Sequence, residues 1–292
     1  MGKTLKRIGI ALAGLVGLVG LAVLGLAISA DTRLNRTYQV QPESVTIPTS
    51  DEAIAEGERL ASFFCIGCHG EDLAGKDFFD EPSLAVVDSS NLTPGQGGVG
   101  SEYDDADWVR AIRHGVGHQG KPLFIMPSND FYHLSDEDLG QIIAYLKSLP
   151  PVDRDSDDFV ISIPGRMLLS LGAFGNALPA ESIDHSAPRP QAPPAGVTPA
   201  YGKYLVKAFG CRTCHGEGLS GGRSPEPGSP LAPNLTPGGN LAYWTESAFI
   251  ATIRTRESAW MPYESLARMD EAELKAIWLY LSSLSTLETT TR

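Results

Sequence analysis

The chain has 292 residues, a net charge of −12 and 42% hydrophobic residues. That length suits two domains of about 100 residues plus connectors, and the acidic balance argues against nucleic acid as a partner, which needs a basic footprint. Negative charge of this size suits either solubility alone or docking on a basic or neutral protein at a salt-sensitive rate.

Lys3, Lys6 and Arg7 precede an apolar run from Ile8 to Ala30, broken only by Ser29. A helix needs about 20 such residues to cross the hydrocarbon core, and cations before the run keep the N-terminus cytoplasmic. Residues 1–30 therefore read as a single-pass anchor in a bacterial cytoplasmic membrane, followed by a linker over 31–50. The alternative is a cleaved signal peptide, whose apolar region is normally about 7–15 residues and whose cut prefers small residues where Ile28 stands. Both readings put the rest of the chain on the periplasmic or extracellular side.

Five landmarks then occur twice in the same order. GERLASFFCIGCHGEDLAG, NLTPG, DADWVRAIRHG, IMPSNDFYHL and SDEDLGQIIAYLKSL fill the first half. GKYLVKAFGCRTCHGEGLSG, NLTPG, ESAFIATIRTR, WMPYESLARM and DEAELKAIWLYLSSL fill the second. This is a tandem duplication, with modules over 51–151 and 198–285. Helical periodicity covers Ile54–Phe64, Asp107–His114 and the stripe Leu139, Ile142, Ile143, Leu146, with its copy at Leu274, Ile277, Trp278 and Leu281. Ser135 and Asp270 read as the starts of those last helices. The connector over 152–197 is apolar at first, predicting a short helix from Arg166 to Leu178 between the modules. It then becomes proline-rich (Pro188, Pro190, Pro193, Pro194) and extended.

The four cysteines form two Cys-x-x-Cys pairs, Cys65/Cys68 and Cys211/Cys214, each followed at once by histidine, His69 and His215. That is the attachment signature of c-type haem. A zinc site needs two further ligands per pair. No other cysteine exists, and the four remaining histidines all lie outside the second module. Two covalently attached haem c groups are the expectation.

For the sixth iron ligand, Met126 and Met261 stand in matching places, each before a proline and just ahead of the final helix. Methionine opposite histidine is the ligation of electron-carrying cytochromes and raises the reduction potential. His114, His118 and His133 are rivals in the first module only. Met167 and Met269 read as core residues. Each Asn-Leu-Thr-Pro stretch is either a turn or a contact to a haem propionate. Arg110, Arg113 and Arg254 read as propionate partners or as an exposed helix face.

The run CxxCHG, NLTP, WxxAIRxG, MP and LSDEDLxxxxAYLxSLPP resembles class I cytochrome c domains, and in particular the multihaem cytochrome subunits of membrane-bound alcohol and gluconate dehydrogenases. It is also similar to anchored dihaem cytochromes of respiratory chains. The likeness covers both modules but not the anchor or connector, and the second module lacks the Arg-x-Gly segment and the final Pro-Pro. It implies His69 and His215 as proximal ligands and Met126 and Met261 as distal ones. The expected fold is all-α: an N-terminal transmembrane helix followed by two tandem class I cytochrome c domains. The expected function is electron transfer, not catalysis, with a dehydrogenase, a quinol-oxidising complex or a terminal oxidase as redox partner. A dihaem enzyme of the peroxidase or thiosulfate-oxidising kind, with one iron that opens, is the rival. A subunit whose haems mainly hold a larger assembly together is the other.

Overall fold

The computed structural model describes residues 2–155, 159–189, 191–223 and 228–290, so Pro190 and residues 156–158 of the connector lie outside the described residues. Helix α1 (Gly2–Leu34) is unbroken, and none of its most apolar window is covered by the rest of the chain. Among the described residues it is the one helix long and apolar enough to cross a membrane. The linker behind it is strapped to the first half. Val40 and Val45 are buried, and the Tyr38 amide donates to the Gly120 carbonyl at 2.8 Å.

The first half contains α2 (Asp51–Phe64), α3 (Ile66–His69), the hairpin β1 (Asp77–Glu81) and β2 (Ala85–Asp88), α4 (Asp105–His114), α5 (Ser128–Phe131) and α6 (Asp136–Ser148). The connector adds β3 (Phe159–Ile161) and α7 (Ile163–Ser170). The second half repeats the helices as α8 (Pro199–Ala208), α9 (Cys211–His215), α10 (Glu246–Thr255), α11 (Tyr263–Leu266) and α12 (Glu271–Ser282), with a minimal hairpin of β4 (Gly222–Arg223) and β5 (Leu231–Ala232). Seven of the described helix starts obey one local rule. The side chains of Ser50, Asp104, Ser135, Ser162, Thr198, Thr245 and Asp270 each accept the amide three residues on, satisfying a donor the helix itself leaves unpaired.

Within each half the first and last helices cross on a glycine. A methyl on Gly57 would lie 1.9 Å from the Gln141 carbonyl oxygen of α6, and one on Gly202 would lie 1.9 Å from the matching Ala276 oxygen of α12. Backbone meets backbone at both crossings, which no side chain permits. One core then runs through both halves, with Leu60, Phe63, Ile143 and Leu146 from the first and Leu205, Leu274, Ile277 and Leu281 from the second.

The halves meet about a pseudo-two-fold axis. Arg59 of α2 donates to Glu273 of α12 at 3.0 Å, while Tyr204, its counterpart on α8, donates to Asp138, the counterpart of Glu273 on α6. The matched Phe64 and Phe209 face each other with ring centroids 5.4 Å apart. Such reciprocity is that of an isologous dimer interface, here within one chain.

Two expectations need correction. The fold is mostly helical but not all-α: β1, β2 and β3 form an antiparallel sheet in that order. The hairpin comes from the longer segment between Gly75 and Asn91, and its edge is completed by the connector. The connector helix does not sit between the modules either. It spans Ile163–Ser170 and packs along the end of α1. There Arg166 pairs with Asp31 at 2.8 Å, and the Ser170 hydroxyl donates to the Leu26 carbonyl at 2.7 Å.

Candidate functional site

Each Cys-x-x-Cys-His stretch forms one helical turn. The Cys68 and His69 amides donate to the Cys65 carbonyl at 3.1 and 2.9 Å, so the two thiols and the imidazole project from a single turn. His69 Nδ1 lies 2.8 Å from the Ser90 carbonyl oxygen, and His215 Nδ1 lies 2.8 Å from that of Pro233. A carbonyl only accepts, so Nδ1 carries the proton and the Nε2 lone pair is left free to ligate. Burial pushes both imidazoles down from the ordinary histidine value, against the upward pull of those carbonyls, which keeps them neutral.

The repeated loop behind the histidine holds this arrangement. Gly75 and Gly221 donate to the His69 and His215 carbonyls at 2.8 and 3.0 Å, and Leu92 and Leu235 donate to those of Leu73 and Leu219. Leu73 and Leu219 both adopt left-handed φ, 56° and 57°, a conformation a leucine holds only when its surroundings over-determine it. The Asn-Leu-Thr-Pro stretches are clamps. Asn91 Oδ1 accepts from the Thr93 amide and hydroxyl, while its amide donates to Val152 and Arg154 carbonyls beyond α6. Asn234 Oδ1 likewise accepts from the Thr236 amide and hydroxyl, while its amide donates to the Leu287 carbonyl and the Thr289 hydroxyl. The second half thus closes its tail without the Pro-Pro.

In the first half Cys65, Cys68 and His69 line a largely apolar cavity of about 320 Å³ whose wall also carries Met126. The turn that delivers each methionine is the same. Ser128 and Tyr263 amides donate to Met126 and Met261 carbonyls at 2.8 and 2.7 Å, with Pro127 at φ −79°, ψ 50° and Pro262 at φ −76°, ψ 59°. Ile125, next to Met126, is held at φ 62° with its amide on the Ala177 carbonyl of the connector at 2.7 Å. Met261 and Cys211 both pack against the shared core, and Met269 is buried in it, as its alignment with Leu134 requires.

The rival histidines are engaged elsewhere. His114 is buried between Glu43 (3.0 Å) and His185 (3.1 Å). His118 bonds Asp107 at 2.9 Å and is mostly exposed. His133 lines a second, polar cavity between the halves with Asp130, Lys207 and Arg212. Arg113 is wholly buried and reaches Glu43, Asp136 and the Leu134 carbonyl. Arg254 likewise donates to the Ala267 and Met269 carbonyls, so both arginines brace the loop before the last helix. Arg110 pairs with Asp107. Glu43 and His185, 71 residues either side of His114, carry no local signal that the sequence reading could have used.

The residues fit haem c better than a metal ion. Burial pushes the Cys65 and Cys211 thiols up to about 12, which disfavours the thiolates zinc demands but suits neutral thioethers. Among the described residues no cluster of three histidine, cysteine or acidic groups could hold an ion. Trp108 Nε1, on an indole that lines the cavity, is buried without a hydrogen-bond partner among the described residues. It is a donor placed for an acceptor the protein does not itself supply.

The family profile described as "Cytochrome C oxidase, cbb3-type, subunit III" matches residues 52–146 and 198–281, most of the chain and both copies of the motif. The chain belongs to this cytochrome c family. As such it carries covalently bound haem c and transfers electrons. It is similar to the gluconate 2-dehydrogenase cytochrome c subunit of Pantoea cypripedii, 32% identical over 57% of the chain and 38% of that protein. The fructose dehydrogenase cytochrome subunit of Gluconobacter japonicus is 27% identical over 80% of the chain and 52% of that protein. The chain thus spans about four-tenths to half the length of these two relatives. A diheme cytochrome c-type protein of Cereibacter sphaeroides is 26% identical over 92% of the chain and 98% of its own length.

Proposed function

We propose that this cytochrome is a membrane-tethered, two-haem electron carrier with tandem class I domains over 51–151 and 198–285. Cys65, Cys68, Cys211 and Cys214 bind the haems, and His69/Met126 and His215/Met261 ligate the irons. The observation that carries this reading is the first cavity, where Met126 shares a wall with Cys65, Cys68 and His69 while His114, His118 and His133 are turned elsewhere. Haem supplies the one-electron chemistry, and the chain supplies position, ligands and insulation. His69 and His215 present fixed Nε2 lone pairs. Met126 and Met261 would be the second protein ligands, raising the potential and leaving no open position for other ligands. Phe64 and Phe209, each just ahead of an attachment cysteine and 5.4 Å apart, bring the two motifs together, which supports transfer between the halves.

The apolar run of α1, with Lys3, Lys6 and Arg7 ahead of it and one cation, Arg33, paired with Glu181 behind it, supports a retained anchor with both haem domains on the periplasmic side. The relatives named as dehydrogenase subunits support a dehydrogenase as electron donor. The chain would pass electrons on to a membrane or periplasmic acceptor such as a terminal oxidase.

An optical spectrum of the purified protein, ferric and reduced, with and without carbon monoxide, tests the assignment. Two low-spin haems per chain, a weak far-red methionine–iron band and indifference to carbon monoxide are expected. A high-spin or carbon-monoxide-binding haem would overturn the fixed His/Met pairing and bring forward the enzyme reading.

A further inference from the structure

The anchor reading leaves one apolar element unexplained. Helix α7 descends along the end of α1, from Arg166 beside Asp31 to Ser170 on the Leu26 carbonyl. Leu26 lies five residues back along α1 from Asp31, about 7 Å at the usual helical rise, and within the apolar run. The turn that follows α7 therefore lies at the depth of the hydrocarbon edge. From Met167 to Ala180 the chain holds no charged residue. Leu171 at the tip is 67% exposed. The first charged groups on either side, Arg166 and Glu181, pair with Asp31 and Arg33, the polar residues that end the apolar run of α1. Charges thus form a collar at one level, with uncovered apolar side chains below it.

We infer that the end of α7 and its following turn, Met167–Phe174, are seated in the lipid bilayer beside α1, as a second membrane contact of the exported part of the chain. The apolar turn is continuous with the lipid-facing surface of the anchor, and the geometry of an interfacial element with a polar collar is that of a monotopic contact. The same segment leads to the first cavity. Phe174 packs edge-on to Phe124 at 6.3 Å and Phe124 to Phe159 at 5.2 Å, and Phe124, Phe159 and Leu34 line the cavity. The first haem site would open at headgroup level, and the second would be the outer one.

This rests on α1 being a membrane anchor, and the test separates the two. The full-length holoprotein is reconstituted into phosphatidylcholine vesicles containing a lipid with a diazirine midway along one acyl chain, irradiated, and mapped by peptide mass spectrometry. Adducts are expected both on α1 and on residues 167–175, with the latter lost in Leu171→Glu while the α1 adducts stay. Adducts on α1 alone overturn the second contact and leave the anchor standing. This is also the outcome if a second copy or another protein covers the turn. No adducts on α1 overturn the anchor reading itself.

Discussion

Asp130 occupies the hollow left by the missing side chain of Gly210: a methyl there would sit 2.2 Å from its Oδ2. Gly210 is at φ +64°, so the chain turns sharply into Cys211 and the carboxyl is roofed by the other half. Burial pushes Asp130 up to about 6, more than the 3.3 Å bond from the Thr213 hydroxyl pulls it down. Below that pH it is neutral, and above it a negative charge stands beside the second attachment motif and favours the ferric state. On the proposed two-haem reading, the potential of the second haem should fall by tens of millivolts as pH rises through about 6, a Coulombic effect at short range. Potentiometry from pH 5 to 8 should show the slope, and Asp130→Asn should flatten it.

The glycine crossings predict a symmetrical loss. Gly57→Ala and Gly202→Ala must each push apart two helices whose backbones touch, at an expected cost of about 1–3 kcal/mol. Thermal unfolding of the holoprotein, followed in the haem bands, should show lowered midpoints for both variants. Unchanged midpoints would mean the helices cross elsewhere.

Glu43 predicts how the protein fails in acid. Burial raises its carboxyl, but bonds from His114, from backbone and from Arg113 outweigh that and bring it down to about 2. A carboxylate with a lowered folded pKa stabilises above its unfolded value near 4.5, and that contribution is lost as pH falls toward about 2. Because the group is partly solvated, the contribution is on the order of 1–2 kcal/mol. Glu43→Gln should be less stable than the parent at pH 7 and converge with it near pH 2, as read by denaturant titrations at both pH values.

The methionines predict separable effects. Met126→Ala and Met261→Ala should each open one iron to carbon monoxide, leave the other closed, and lower one potential by on the order of 100 mV, a modest part of the range axial ligands command. A variant that still excludes carbon monoxide would show that another side chain ligates that iron.

What could be read from the sequence was whatever repeats or recurs locally. The duplicated landmarks, the stripe of α6 and α12, the caps at Ser135 and Asp270 and the Met-Pro turns were all visible as patterns. What stayed hidden depends on contacts between distant residues. No periodicity announces that β3 will complete the edge of β2, or that α7 will lie on α1 rather than between the modules. Nor does any local pattern tie Glu43 and His185 to His114. Arg113 has the same cause: instead of an exposed helix face it is buried against Glu43, Asp136 and the Leu134 carbonyl, partners that no local pattern points to.

The clamp built on Asn91 reaches further than its own turn. The residue before it, Ser90, supplies the carbonyl that orients His69, and Asn91 itself is tied to Val152 and Arg154, which lie past the last helix of the half. In the proposed topology, with the N-terminus held in the cytoplasm and the chain exported from the anchor onward, the partners of that clamp emerge long after Cys65 and Cys68. In that topology the first attachment motif passes a period in which its cysteines are already outside the cytoplasm while the strap behind its histidine is still unmade. The same order recurs with Asn234 and Leu287. In each half the last residues to arrive lock the first ones in place, so on the proposed two-haem reading the strap behind each histidine is completed only when its tail closes.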